Sequence, residues 1–591
     1  MNKRDSALYI IFILIIALAF FLRLYHLDER VFHHDEAAVG YFTYKLFNDS
    51  VYSYDPSFHG PFMYYATSEM YRRIGDSDYS SRLLPALLGA GMLFLLFPLR
   101  KYTGNAGMVL AAFFLALSPS FLYYSRFYRE DIFISFFTLL ALVCAVKYAE
   151  NHSEGGSFIS RISYLFLAGV SLASMAALKE NAYIAMALIV LFLFLYFIRE
   201  RWYKGLLDRF KNRDRKLLIP IAEAIFLVLV VMIVFSLFYT GKVLDLHGMA
   251  DAVRKAITHW YEMHRIQRMG GPYFFYLLIF ALYELPLLVF GILGMFHYGC
   301  EGRKKEKLLA VLLIYWIIVD IMYLIGGNYP SASRFLPTSY VQSSTIIFLP
   351  LLALGMIGVL YIQNKFHAFL IYWTLSNFFV YSYVQEKVPW LVLNPLLPLA
   401  IIAACYLGEL LPRSNFRSWI GAALILFLVV SMAFFVYSSV LFNYYRYTDA
   451  AEPLIQASQP PQKYSIFLDK VKEISSQYQN QSTPIQLTDV NLETQFLWYM
   501  RHYPNIKWKV SLDAELNAPL IVVHDSDGVE TEADVVGRSL SRDYKRLNSS
   551  KMSWYWFKPS DITLDYLLFR KMDREPGGYR FVLYYKPKIE N

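Results

Sequence analysis

Residues Leu8–Leu22 read Leu-Tyr-Ile-Ile-Phe-Ile-Leu-Ile-Ile-Ala-Leu-Ala-Phe-Phe-Leu, with Lys3 and Arg4 before them and Arg23 directly after. The run holds no charge, proline or glycine. About 20 such residues, rising about 1.5 Å each, cross the roughly 30 Å of hydrocarbon in a bilayer. No small-residue cleavage pattern follows, so the run reads as an uncleaved first span.

The pattern recurs along the chain. Apolar runs of this kind are centred near residues 16, 91, 114, 139, 170, 190, 228, 284, 316, 351, 374, 398 and 428, about 13 in all. Hydrophobic residues make up 57% of the 591, aromatic residues 18% and charged residues 17%. A soluble chain carries charge on nearer about a quarter of its residues. The formal charge of +9 does not point to nucleic acid, because Lys and Arg gather in short connectors between apolar runs. Cys144, Cys300 and Cys405 lie in or beside such runs and read as small core residues, not as a disulfide or metal framework.

Basic connectors stay on the cytoplasmic side. Lys3 and Arg4 place the N-terminus inside. Alternation then puts the basic 199–216 loop, Arg303 to Lys307, and Arg413 with Arg417 inside as well. One span too many or too few before residue 199 would have put the most basic loop outside. The expected architecture is an α-helical polytopic protein of the plasma membrane, with residues 1–443 in the membrane part. The first external loop spans 28–80. Residues 444–591 form an extracytoplasmic α/β domain, in which Ile485–Leu487, Leu520–Val523 and Phe581–Tyr585 read as strands. Leu492–His502 and Glu530–Leu540 read as helices, and Gln459-Pro460-Pro461 as a linker.

Four polar clusters interrupt the apolar pattern, all on the expected outer side. The first loop carries Phe32-His33-His34-Asp35-Glu36 where the chain leaves the first span. An ionised carboxylate there suits a general base for a sugar hydroxyl; the plainer reading is a pair of solvated acids. Tyr124-Ser125-Arg126-Phe127-Tyr128-Arg129-Glu130-Asp131 sets two arginines, suited to phosphate, beside a second acidic pair. The plainer reading is local ion pairing. Lys179-Glu180-Asn181 breaks some 35 otherwise apolar residues, costly unless it meets a cavity or partner. Glu386-Lys387-Val388-Pro389-Trp390 places charge and an aromatic at an interfacial turn. No nucleophile triad, Gly-rich phosphate loop or Cys-based metal motif is present. His33, His34, Asp35, Glu36 and His59 offer donors for a divalent metal, but no i,i+4 spacing supports one.

These residues resemble the protein O-mannosyltransferase-like membrane glycosyltransferases of the GT-C class. The likeness rests on Asp35-Glu36, on His59-Gly60-Pro61-Phe62-Met63-Tyr64-Tyr65 and on Ser80-Ser81-Arg82-Leu83-Leu84-Pro85. Glu386-Lys387-Val388-Pro389-Trp390-Leu391 resembles a subgroup named as flippase-activity-associated proteins of archaeal N-glycosylation. The resemblance implies a polyprenyl- or dolichyl-phosphate sugar donor, a glycan, lipid or protein acceptor, and catalysis by Asp35 first and Glu36 second. It matches Glu130 and Asp131 to the family's acceptor or second acidic site. Arg126, Arg129, Lys179 and Lys387 are the expected lipid-phosphate ligands, and His34, His59, Tyr64, Glu180, Glu386 and Trp390 the expected pocket. The chain departs from the family at Gly60, where relatives carry proline, and at Glu180, where many carry glycine.

Three functions follow: an inverting glycosyltransferase, a flippase component for lipid-linked sugars, and an assembly protein whose external domain binds a partner. Transporters commonly show inverted repeats and midplane breaks. The sequence shows no repeat, and its polar groups gather at one face, which favours the transferase.

Overall fold

The fold is described from a computed structural model covering residues 3–50, 52–205, 212, 218–264, 275–299, 355–356, 358–384, 387–413, 418–449, 451–455, 459–488, 493–508, 510–512, 514–526, 531–553, 561, 563–573 and 577–587. The apolar run that opens the chain forms α1 (Lys3–Leu24). After it come α2 (His34–Asp49), α3 (Phe62–Ile74), α4 (Asp78–Gly91), α5 (Arg100–Leu117), α6 (Pro119–Ser125), α7 (Asp131–Ser153), α8 (Phe158–Ala176) and α9 (Asn181–Arg199). Further long helices are Leu218–Thr240, Lys365–Tyr383, Leu393–Arg413 and Trp419–Tyr444.

Among the described residues, eight stretches are long and apolar enough to cross a membrane, or nine if one bent pair counts as a single span. The run expected at 316 and the centre of the run expected at 351 lie outside the described residues, as do Cys300 and Arg303 to Lys307. The runs at 91 and 114 merge into one apolar stretch, Asp78–Leu117. Gly104 interrupts it at φ 71°, ψ 160°, a backbone conformation open to glycine at little cost.

The run centred at 284 reads as one straight span but is not. Phe275–Tyr283 and Leu285–Gly299 meet at an angle of 116°. Glu284 sits at the break, fully buried, and accepts hydrogen bonds from the Ser118 hydroxyl (2.6 Å) and the Ser120 amide (3.0 Å). A buried carboxylate needs such donors, and they come from the start of α6.

The C-terminal segment folds around a six-stranded sheet in the order β2-β1-β3-β6-β4, with β5 on β6. The strands are β1 (Ile485–Leu487), β2 (Ile506–Lys507), β3 (Leu520–Ser526), β4 (Lys545–Asn548), β5 (Met552–Ser553) and β6 (Gly578–Tyr585). β1 runs parallel to β2 and β3, and β6 antiparallel to β3, with Val522 opposite Leu583. Helices Glu493–Tyr499 and Glu532–Ser539 fall within the helical stretches read from the sequence.

This domain grips the membrane part. Trp498 stacks on Phe32 (centroids 5.0 Å apart) and donates to Asp78 (2.7 Å), as does the Tyr499 hydroxyl (2.7 Å). Tyr499 also accepts from the Phe32 amide (2.8 Å). Gln459, read from the sequence as linker, is buried, accepts from Arg30 (3.2 Å) and donates to the Val31 carbonyl (2.9 Å). A Cβ added at Gly40 would lie 3.0 Å from the Trp498 ring and 3.1 Å from Phe32. Gly40→Val is therefore expected to cost about 1–3 kcal/mol through overpacking, read as a lower melting temperature and faster proteolysis of the C-terminal domain.

Candidate active site

The site begins with a helix start. His33 Nδ1 accepts from the Asp35 amide (3.1 Å), and Glu36 Oε2 accepts from the His33 amide (3.0 Å). This reciprocal capping box satisfies two orphan donors and starts α2 at His34. It also sends two adjacent carboxylates into different surroundings.

Glu36 is 0% exposed. It accepts from Arg30 (3.0 Å), from Nε and Nη2 of Arg82 (both 2.8 Å), and from the Tyr128 amide (2.9 Å). Burial pushes its carboxyl up, but Arg30 and Arg82 outweigh burial and hold it down at about 2. With its oxygens filled this way, Glu36 is set to hold the chain, not to receive a hydroxyl. Arg82 further donates to the Leu27 (3.2 Å) and Arg30 (2.7 Å) carbonyls. The sequence signal for Arg82 was a lone cation inside an apolar run, which demands a partner.

Asp35 keeps 28% of its side chain exposed. It pairs with Arg129. Burial alone would raise its carboxyl, but Arg129, His33, His34 and Lys179 outweigh that and hold it well below the usual carboxylate range. His34 is half-buried beside it. Arg129 also faces Asp131 (3.4 Å) and Glu130 (3.9 Å), and its guanidinium lies 3.9 Å from the Trp390 ring centroid. Lys179 reaches Asp131 at 3.4 Å and lies 5.9 Å from the Trp390 centroid. Residues far apart in the chain thus converge: Asp35, Arg129, Glu130, Asp131, Lys179 and Trp390. Among the described residues, Glu130 Oε2 is buried with no hydrogen-bond partner.

A second cluster adjoins the first through neighbouring residues. His59 Nδ1 lies 3.0 Å from Glu180, and the Tyr54 hydroxyl donates to Glu180 (3.4 Å). Tyr64 is buried and donates to the Phe58 carbonyl (2.8 Å). The glycine at position 60 has a physical reason. Its amide donates to the Leu178 carbonyl (2.9 Å), and a Cβ there would come within 2.2 Å of the Ala177 carbonyl oxygen. Proline has no such amide and carries a Cβ, so glycine lets this loop press against the segment that presents Lys179.

Two expected phosphate ligands are occupied elsewhere. Arg126 donates to the carbonyls of Leu22 (2.8 Å), Arg23 (3.1 Å), Tyr25 (2.6 Å) and His26 (2.8 Å). It caps the end of α1, where carbonyls lack helical partners. Lys387 is buried and donates to the carbonyls of Tyr381 (2.7 Å), Ser382 (2.7 Å) and Val384 (2.5 Å), closing the end of Lys365–Tyr383. Glu386 lies outside the described residues. Among the described residues, no three His, Cys, Asp or Glu side chains converge to hold a metal.

Residues 10–247 match the family model described as dolichyl-phosphate-mannose-protein mannosyltransferase. The fold is similar to that of ArnT from Cupriavidus metallidurans bound to undecaprenyl phosphate, with a TM-score of 0.54 and 14% identity over 98% of this chain and 99% of that one. Residues 10–247 are thus PMT-like, and the chain shares its fold with ArnT. A looser likeness joins it to the Archaeoglobus fulgidus oligosaccharyltransferase, with a TM-score of 0.48 and 14% identity over 85% of this chain and 64% of that one. No curated protein matches it by sequence. The matched residues contain Asp35, Glu36, Arg82, Arg129, Asp131 and Lys179.

Removing one partner from a buried ion pair costs about 3–5 kcal/mol, so Glu36→Gln should lower stability by that order at pH 7. Because the folded-state carboxyl is depressed, its contribution is fully present above the unfolded value of about 4.3. It is lost as pH falls towards about 2. The gap in melting temperature between wild type and Glu36→Gln should therefore stay constant above that window and close within it.

Proposed function

We propose that this protein is an integral membrane glycosyltransferase of the inverting type. It moves a sugar from a polyprenyl-phosphate-linked donor to an acceptor hydroxyl at the outer face of the membrane. The observation that carries this reading is the split of the Asp35-Glu36 pair. One carboxylate is sealed in an arginine clamp. Its neighbour stays partly open, beside Arg129, Lys179 and Trp390.

In the proposed reaction Asp35 accepts the proton of the acceptor hydroxyl. The hydroxyl oxygen bonds to the anomeric carbon, and the bond from that carbon to the lipid phosphate breaks. Arg129 and Lys179 hold the charge that develops on the departing phosphate. An arriving phosphate competes with Asp35 for Arg129, which frees the carboxylate as the donor is bound. Glu130 and Asp131 position these cations, while His59, Glu180 and Tyr54 line the approach. The PMT match over residues 10–247 supports a dolichyl-type donor and a mannose-like sugar. The relative seen with undecaprenyl phosphate supports a polyprenyl phosphate as the carrier.

Asp35→Asn should abolish transfer while the protein remains folded in membranes, with a melting temperature lowered by loss of the pair with Arg129. Normal turnover by that variant would sink the proposal. Reconstituted liposomes separate the flippase reading, since labelled lipid-linked sugar would then change leaflet without losing its sugar.

A further inference from the structure

The helix Leu246–His264 begins just past the end of the apolar span Leu218–Thr240. Its circumference divides into three faces. Met249, Ala252 and Val253 pack with Phe235, Tyr54 and Tyr239, and Ala256 is buried on the same side. Next around the helix, at about 100° per residue, come Leu246, Ala250, Ile257 and Tyr261. Leu246 and Ile257 are each 60% exposed, and Tyr261 is 56% exposed. Beyond them lie Asp251, Arg254, Lys255 and Glu262. A packed side, an open apolar side and a polar side in that order suit a helix lying at a bilayer surface. Its flank then rests on protein and one face rests in lipid.

The turn before the helix fixes its depth. Gly241, at φ 68°, turns the chain at the end of the span. The Asp245 amide donates to the hydroxyl oxygen of Ser236, which lies near the end of the span (2.9 Å), and Asp245 accepts from the Gly248 amide (2.9 Å). A Cβ on Gly248 would lie 2.6 Å from the Thr240 side chain. The helix therefore starts level with the end of the span. Val228, Leu229 and Leu237 on that span are exposed, and so are Val243 and Leu244 in the turn. Apolar surface that must meet hydrocarbon along the span is thus carried through the turn to the start of the stripe. On the polar side Arg254 and Lys255 both pair with Asp251 (2.7 Å and 3.0 Å), and Glu262 shares that side, so two cations are balanced by two acids.

We propose that Leu246–His264 is an interfacial helix whose Leu246, Ile257 and Tyr261 side enters the lipid leaflet at the site's end of the spans. Its occupant is the acyl-chain boundary of that leaflet, held by apolar contact and not by headgroup charge. The opposite flank lies against Pro56–Phe58. It packs on Tyr54, which donates to Glu180, and on Tyr239, which donates to the Ala176 carbonyl (3.0 Å) shortly before Lys179. The helix so holds the approach to Lys179 at headgroup depth, where the phosphate of a lipid-linked donor travels. That consequence rests on the transfer reading, whereas the lipid contact does not.

The test uses the full-length protein in phosphatidylcholine nanodiscs with one nitroxide at a time, on Ile257→Cys or on Lys255→Cys, about 160° apart around the helix. The unsubstituted chain, labelled in parallel, supplies the background from native cysteines. Oxygen, which partitions into lipid, and a water-soluble nickel chelate report the depth of each label. The label at 257 should lie about 5–10 Å into the boundary between headgroups and acyl chains and be reached mainly by oxygen. The label at 255 should be reached mainly by the chelate. Phosphatidylglycerol nanodiscs should give the same depths. Gel filtration and a thermal melt report folding, and Leu246→Cys replaces Ile257→Cys if that variant does not fold. Chelate access at 257 equal to that at 255 would overturn the proposal. So would burial seen only in phosphatidylglycerol, or spin–spin coupling between chains that assigned the stripe to a second copy.

Discussion

A carboxylate with no exposure, held between Arg30 and Arg82, is the interaction on which the rest of this protein depends. Taking these charges out of water is expensive, and only close geometry with every lone pair occupied returns that cost. The clamp meets that condition by drawing in four parts of the chain. Arg30 comes from the connector after α1, Glu36 from the first turn of α2, Arg82 from α4, and the Tyr128 amide from the turn before α7. Once these are locked, Asp35, one residue before Glu36, has no freedom to join the clamp and is left pointing at Arg129. A partly open carboxylate beside Arg129 is thus a consequence of the buried one.

The C-terminal domain is part of this arrangement. Gln459 contacts Arg30 directly, and Tyr499 holds the Phe32 amide three residues before Asp35. Trp498 closes over Phe32, on whose ring the Arg82 guanidinium also lies, 4.6 Å from the centroid. The domain therefore acts as a wedge that fixes the connector leading into α2. This gives a physical role to a segment that by composition alone looks detachable.

Much of the fold was legible because desolvation is a local demand. The Leu8–Leu22 run must find hydrocarbon or a core wherever it goes, and it forms α1. Ile485–Leu487, a short apolar stretch among polar residues, becomes a buried strand for the same reason. The site was legible in its residue types: Asp35, Arg129, Asp131, Lys179 and Trp390 were all singled out as polar or aromatic interruptions. What sequence could not assign was the division of labour. Arg126 and Arg129 stand three apart with the same chemistry, yet one caps the end of α1 and the other faces Asp35. Lys387 has the same chemistry, yet its ammonium donates to carbonyls at the end of the helix before it.

The sequence by itself determined that this chain enters a membrane, that its polar chemistry gathers where spans end, and that its last segment forms a sheet. Those follow from hydropathy and period, which neighbouring residues share. Only the tertiary structure decided which carboxylate is sealed and which is open, that the run at Glu284 bends, and that Gly60 lets the loop reach Lys179's segment. Each depends on partners distant in the chain, such as Ser118 for Glu284 and Ala177 for Gly60. No local pattern encodes a donor that arrives from another helix.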